Sequence, residues 1–311
     1  MNGILNFAGI VAGLALLAKG ADTFVDGASA LASKLGIPSL VVGLTVVALG
    51  TSAPEAAISI ASAAQQAGSM TIANVFGSNI VNMLVILGVV ALVAKVPVRR
   101  ATIRVDMPLV IGATVLLLAL CLWDGVLGRL DALALLALLG GYIFYLIQSA
   151  RNSEEAPERD TTDDIPTARN LVLCVLGAAA ICLGANLTVD NALVVAEAWG
   201  VPQRVVGLTV IALGTSLPEL VTSLTAARKG QTDIALGNVV GSGILNVLFV
   251  LGVSGAVSPI PFATELLFDG AVALASAALV WALCFRNKTL GRASGATMLA
   301  GYATYMGCLL A

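Results

Sequence analysis

Ten long apolar segments limit the folds that this sequence can adopt. They lie at 5–35, 38–65, 70–94, 103–123, 127–149, 169–199, 202–228, 232–257, 263–285 and 293–311. An α-helix needs roughly 20 residues to cross a bilayer, and the first and sixth segments are long enough to tilt or to extend past the hydrocarbon. The runs are continuous, whereas a membrane β-barrel would show alternating segments of about ten residues. The pattern predicts an all-α polytopic membrane protein with ten transmembrane helices.

Composition excludes several classes of function. Only 11% of the residues are charged, against about 25% in soluble domains. The chain has no histidine, so imidazole metal ligands and histidine acid–base catalysis are excluded, and no motif pairs a nucleophile with a base. No basic patch with interleaved aromatic residues is present, which argues against a nucleic-acid partner. We expect neither an enzyme nor a resident cofactor, and we interpret the cysteines as packing residues.

An internal repeat is the most informative pattern. When the sequence is shifted by 164 residues, "GLTVVALGTSAPE" at 43–55 aligns with "GLTVIALGTSLPE" at 207–219. Across 43–88 and 207–252, 22 of the 46 aligned positions are identical without a gap. We therefore predict two homologous halves, at 1–149 and 169–311. The acidic segment between them, 150–168, is predicted to be a solvated cytoplasmic linker.

Each half contains five predicted spans, an odd number, so the two halves must enter the membrane from opposite sides. Such inverted-topology repeats are typical of secondary transporters, whose substrate sites lie near the midplane between the halves. Alternate loops differ sharply in basic residues, with 13 on one side and 2 on the other. The positive-inside rule then places both termini on the non-cytoplasmic side of an inner or plasma membrane.

Two glutamates, Glu55 and Glu219, lie deep within predicted spans. A carboxylate at bilayer depth is costly, by about 2.5–3.5 kcal/mol on insertion scales, and usually lines a transport pathway. Helical spacing places hydroxyl and amide residues on the same faces in both halves. A single such hydroxyl would indicate little, because it can bond to its own helix backbone, but here the set is duplicated. The candidate ion-binding residues are Ala48, Thr51, Ser52, Glu55, Ser78 and Asn82, with Ala212, Thr215, Ser216, Glu219, Ser242 and Asn246.

Pro54 and Pro218 directly precede these glutamates. Proline lacks an N–H group and clashes with the preceding helical turn. We therefore expect a helix break at each position, which would free the carbonyl groups of nearby residues such as Thr51 and Thr215 to bind cations. The alternative is a simple kink that serves packing.

The chemistry of these residues favours calcium. Two bidentate carboxylates, two carbonyls and two amides would supply up to eight oxygens, which matches the six to eight that calcium takes. The same oxygens could be shared by several sodium ions. No soft or imidazole ligand lies among them, so zinc and copper are disfavoured.

The paired stretches "GLTVVALGTSAPE…GSNIVN" and "GLTVIALGTSLPE…GSGILN" resemble the two α-repeats of the sodium/calcium exchanger family, in the cation/calcium antiporter superfamily. The resemblance covers nearly the whole chain, and the chain is most similar in kind to the prokaryotic calcium/sodium antiporters of the family. It implies exchange of sodium for calcium by alternating access, with spans 2, 3, 7 and 8 as the ion-binding core. It also implies that spans 1 and 6 gate access, so Asp26 and Asp190 are expected to be gate or interface residues.

The resemblance leaves alternatives open. Potassium-dependent relatives carry acids in the third and eighth spans, whereas this chain has the amides Asn82 and Asn246. A proton-coupled antiporter for calcium or another divalent cation is the main alternative, and a cation channel and an intramembrane enzyme are weaker ones. The expected partners are calcium, sodium and the lipid bilayer, with the chain acting as a monomer.

Overall fold

A computed structural model describes residues 2–64, 69–151, 167–199 and 212–310. Within them, ten helical segments follow one another, as the apolar pattern predicts. The first five are α1 (Asn2–Leu35), α2 (Ser39–Val42, a π-helical turn at Gly43–Val47, then Ala48–Ala64), α3 (Ser69–Ile80, a π-helical turn at Val81–Ile86, then Leu87–Val93), α4 (a π-helical turn at Thr102–Asp106, then Met107–Asp124) and α5 (Arg129–Arg151).

The second five segments repeat this arrangement. They are α6 (Thr167–Ala198), α7 (Ala212–Thr215 and Leu217–Arg228), α8 (Thr232–Leu245, a π-helical turn at Asn246–Val250, then Leu251–Val257), α9 (Leu266–Asn287) and α10 (Arg292–Leu310). Among the described segments, all except α7 and α10 are long and apolar enough to span a membrane. The predicted linker lies almost entirely outside the described residues, as does the start of the seventh predicted span.

Two short strand pairs were not predicted by the apolar pattern. Strand β1 (Val96–Pro97) pairs antiparallel with β4 (Thr289–Leu290), and β2 (Val126–Leu127) pairs antiparallel with β3 (Ile260–Pro261). Each pair joins a loop of the first half to a loop of the second. The β1–β4 pair lies at the end of the bundle where α5 finishes and α6 begins. We call this the linker end, and we call the end that carries β2 and β3 the opposite end.

Burial identifies the centre of the bundle. In α8, 94% of the most apolar window is buried, and in α3 78%, whereas the value for α5 and α9 is 28%. A helix surrounded by other helices must bury its whole circumference, while a peripheral helix keeps a lipid-facing side. Helices α3 and α8 are therefore central, with α2 and α7 packed beside them and the remaining helices around them.

Helices α1 and α6 pack closely along a seam of glycines. A Cβ atom added to Gly20 would lie 2.8 Å from the backbone nitrogen of Ile181, and one added to Gly184 would lie 2.6 Å from that of Leu17. Small residues allow helix backbones to approach this closely. The seam joins the first helix of each half into a two-helix unit.

The two halves repeat side-chain contacts as well as helices. The Tyr142 hydroxyl on α5 donates a hydrogen bond to Asp106 on α4 at 2.9 Å. The Tyr305 hydroxyl on α10 donates to Asp269 on α9, also at 2.9 Å. Both pairs join residues that are 36 positions apart, so the internal repeat extends beyond the aligned motifs.

The expected break at Pro54 is wrong. The helix continues through Pro54 from Ala48 to Ala64, because proline removes only one backbone hydrogen bond and a helix can absorb its clash by bending slightly. In the second half, the helix is interrupted at Ser216 and Pro218 lies in the first turn of the following helix, a position that proline tolerates well. The two copies of the motif therefore differ in backbone.

Candidate cation-binding site

Glu55 on α2 and Glu219 on α7 meet inside the bundle. Their side chains are only 2% and 0% exposed, and the two carboxyl groups are near enough to interact directly. They come from opposite halves of the chain, so the inverted repeat brings its two acids to one site. The sequence predicts this meeting from the repeat alone.

Serine hydroxyls bridge the two halves around the acids. Ser52 donates a hydrogen bond to Oε1 of Glu219 at 2.9 Å, and the Ser52 and Ser242 hydroxyls are 3.0 Å apart. Ser78 donates to Oε1 of Glu55 at 3.2 Å. Each carboxylate thus keeps one oxygen engaged by a hydroxyl, and three of the four predicted serines lie in this network.

The predicted asparagines are also buried, and they lie in the two central helices. Asn82 and Asn246 are 0% and 1% exposed and lie in the π-helical turns of α3 and α8. Such turns widen the helix locally and occur frequently at functional sites. Nδ2 of Asn246 donates to Oδ1 of Asn79 at 3.2 Å, and Asn79 in turn donates to the carbonyl of Gly243 at 3.2 Å.

Several buried oxygens of the candidate ligands have no hydrogen-bond partner among the described residues. These atoms are Oε2 of Glu55 and Glu219, Oγ of Ser216, and Oδ1 of Asn82 and Asn246. An unsatisfied buried polar group costs about 1–3 kcal/mol, and more when it is charged. Buried acceptors without partners are groups that a bound cation can satisfy.

The remaining predicted ligands are Thr51 and Ala48 in the first half and Thr215 and Ala212 in the second. Thr51 is fully buried, and its hydroxyl donates to Oδ1 of Asn238 at 3.0 Å and lies 3.3 Å from the carbonyl of Ala48. In the second half, Ala212–Thr215 forms one short helical turn that ends just before the break at Ser216. The backbone break therefore lies beside the predicted carbonyl ligand Thr215.

Asp26 contacts α7 instead of the acid cluster. Nζ of Lys229 lies 2.7 Å from Oδ1 of Asp26 and 2.6 Å from Oδ1 of Asp22. Partial burial lowers the pKa of Lys229, but its hydrogen bonds to Asp22 and Asp26 outweigh this effect and the pKa is raised. The ion pairs link α1 to the linker end of α7. Asp190 is exposed on α6.

Sequence reasoning missed two buried amides, Asn238 and Asn79, and the half-buried Asn74. Asn238 is fully buried and Asn79 is 3% exposed, and both bond to residues of the site. Asn74 and Asn238 occupy equivalent positions in the repeat, one helical turn before Ser78 and Ser242, and this duplication could have identified them. Asn79 corresponds to Gly243 in the second half, so the repeat carries no signal for it.

Among the described residues of this cluster, Glu55 and Glu219 are the only ones with a charged side chain. Among the described residues, no group of three histidine, cysteine, aspartate or glutamate residues could hold a metal ion. The cluster instead combines two carboxylates with neutral hydroxyl and amide oxygens. This donor set is typical of sites for hard cations such as calcium.

Two inverted five-helix halves around a buried cluster of oxygens define a polytopic membrane protein of the secondary-transporter type. The sequence model of the sodium/calcium exchanger protein family matches residues 5–148 and 169–311. The chain belongs to the sodium/calcium exchanger protein family.

Relatives and a solved structure agree with this assignment. The chain is 34% identical to the inner membrane protein YrbG of Escherichia coli, with 96% of this chain and 95% of that protein covered. It is 33% identical to the sodium/calcium exchanger MaX1 of Methanosarcina acetivorans, with 97% of each covered. A structure of the sodium-calcium exchanger NCX_Mj, soaked with 10 mM Na⁺ and no Ca²⁺, superimposes with a TM-score of 0.83 at 31% identity, covering 98% of this chain and 99% of that one.

Proposed function

We propose that this protein is a secondary antiporter that exchanges sodium for calcium across the membrane by alternating access. The ions would bind between Glu55 and Glu219, near the bilayer midplane. The observation that carries the proposal is that two buried carboxylates from opposite halves meet and that each keeps an unpartnered oxygen. The relative MaX1 and the structural neighbour NCX_Mj are both named as sodium/calcium exchangers.

Charge balance supports calcium as one substrate. Two ionised carboxylates carry two negative charges, which one Ca²⁺ neutralises. Buried charges are costly unless they are paired, and no Lys or Arg among the described residues forms an ion pair with Glu55 or Glu219. The substrate cation would therefore supply the compensating charge, with Ser52, Ser78 and the amide oxygens completing its shell.

The same reasoning supports exchange over one-way transport. Without a bound ion, the protein would switch between its two access states with two uncompensated carboxylates, which costs several kcal/mol per charge in a low-dielectric interior. A site loaded with either calcium or sodium avoids this cost. Movement between the two access states is then coupled to the presence of an ion, so the two substrates move in opposite directions.

The distribution of basic residues supports one orientation of the helix bundle in the membrane, which we propose to be an inner or plasma membrane. Lys95, Arg99, Arg100, Lys229 and Lys288 are among the basic residues of the described loops at the linker end. The positive-inside rule places this end in the cytoplasm and both termini outside it. Both acids belong to one chain, so the proposal requires only a monomer.

The test is calcium uptake into proteoliposomes loaded with sodium and diluted into sodium-free medium. We expect saturable uptake by the wild-type protein, because the outward sodium gradient drives calcium inward. Glu55→Gln and Glu219→Gln should reduce uptake to the level of protein-free vesicles, since each removes one of the two negative charges that would bind the cation. Glu265→Gln, an exposed position outside the site, is the matched control and should retain uptake.

Three outcomes would contradict the proposal. Uptake that ignores sodium but follows an imposed pH gradient would replace it with proton-coupled calcium antiport. Single-channel currents in planar bilayers would indicate a channel. Normal uptake by both glutamine variants would show that the ions bind elsewhere.

A further inference from the structure

Two asparagine–serine pairs flank the acids, one toward each end of the bundle. Ser223 and Ser59 follow Glu219 and Glu55 by four residues, about 6 Å along each helix. Because the halves are inverted, Ser223 lies on the linker-end side of the acids and Ser59 on the opposite side. Asn238 donates to the Ser223 hydroxyl at 2.9 Å, and Asn74 donates to the Ser59 hydroxyl at 3.4 Å.

The two pairs are equivalent in sequence but differ in their further contacts. Oδ1 of Asn238 accepts a hydrogen bond from Thr51 of the first half at 3.0 Å, and its Nδ2 lies 3.4 Å from the carbonyl oxygen of Glu219. Asn74 is half-buried and, within the described part of the chain, bonds only to Ser59. Asn238 therefore ties the two halves together, whereas Asn74 stays within its own half.

The contact between Asn238 and Thr51 lies in the layer between the acids and the linker end. Asn238, Ser223 and Thr51 are all completely buried, so the layer between the acids and the linker end is packed without solvent. The Lys229 ion pairs to α1 lie beyond this layer at the same end. The equivalent layer toward the opposite end is looser, since its asparagine is half-buried and its hydrogen bond is longer.

We propose that Asn238 and Asn74 are alternating latches that position the halves in the two access states. Asn238 bonds to Thr51 when the linker end is closed, as in this structure. In the other state Asn74 takes the equivalent place against Thr215, and Asn238 releases Thr51. This inference rests on the proposed antiport function and adds two positioning residues that do not themselves bind the ions.

The test compares the calcium concentration for half-maximal exchange at the two membrane faces, in right-side-out and inside-out vesicles. Asn238→Ala should populate the state that is open at the linker end. The apparent affinity of a site falls with the fraction of protein in the competent state. Loss of about one net hydrogen bond changes that population ratio roughly fivefold. We therefore expect up to about a fivefold weaker apparent affinity at the opposite face and a stronger one at the linker-end face.

Asn74→Ala should give the mirror-image result if the latches alternate. Asn287→Ala, an exposed residue near the linker end, is the matched control and should change neither face. A purely structural role for the asparagines would alter both faces equally, and that result would overturn the proposal. If the wild-type protein showed no sodium-driven calcium exchange, the proposed function would fail instead, so the two failures can be distinguished.

Discussion

The seam between α1 and α6 allows a quantitative prediction for Gly184→Ala. The new Cβ would lie 2.6 Å from the backbone nitrogen of Leu17, 2.7 Å from the carbonyl oxygen of Gly13 and 2.9 Å from the Cα of Leu17. Since contacts are favourable at about 3.5 Å and beyond, the helices must separate by roughly 0.9 Å at this point. All three atoms belong to the backbone, so no side chain can move aside to make room.

The expected cost follows from this geometry. Overpacking of a tight interface typically costs about 1–3 kcal/mol, and a gap of 0.5–1 Å at neighbouring contacts forfeits a quarter to a half of their dispersion energy. Replacing glycine with alanine within a helix also gains up to about 1 kcal/mol of helix propensity. Gly112→Ala shares this gain without the clash, because nothing lies within 4 Å of its added Cβ.

Thermal unfolding of the two variants in the same detergent isolates the packing effect. The propensity gain is common to both, so Gly184→Ala should be less stable than Gly112→Ala by about 1–3 kcal/mol. We expect the unfolding temperature of Gly112→Ala to equal or exceed that of the wild-type protein. If Gly184→Ala were as stable as Gly112→Ala, the close contact between α1 and α6 would be refuted.

Two further predictions concern side-chain contacts away from the acids. Tyr142→Phe leaves the buried carboxylate of Asp106 without its hydrogen-bond donor, so it should lower the free energy of unfolding by about 1–3 kcal/mol. Tyr305→Phe, at the half-buried equivalent, should lower it less. Equal losses of stability in thermal unfolding would contradict this account. Lys229→Gln removes the exposed ion pairs to α1. Such pairs contribute about 0–1 kcal/mol and weaken with salt. Added choline chloride should therefore change the calcium concentration for half-maximal uptake more in the wild-type protein than in the variant.

The proline motifs show where reading the sequence reaches its limit. Pro54 and Pro218 occupy identical positions in the two repeats, yet the helix is continuous at Pro54 and interrupted at Ser216. Proline lacks an N–H donor in both copies, and the surrounding helices decide whether the chain bends or breaks. Local sequence therefore predicts a weak point in the helix but does not predict its outcome.

The buried amides illustrate a second limit. Asn238 carries a repeat signal that could have been used, because Asn74 lies at the matching position. Asn79 carries no such signal, and its role depends on the Gly243 carbonyl 164 positions away. Partners separated by this distance meet only after the halves have packed, and no spacing along the chain indicates them.

Sequence alone determined the helical membrane architecture, the inversion of the halves and the meeting of Glu55 with Glu219. These features follow from the length of the apolar runs, an odd number of spans in each half and a repeat that aligns without a gap, all of which are read along one chain. Only the tertiary structure decided how Asn238 and Asn74, which are equivalent in sequence, come to differ. Once the inverted halves have packed, the two asparagines meet different neighbours: Asn238 bonds to Thr51 of the other half, and Asn74 bonds to Ser59 of its own half.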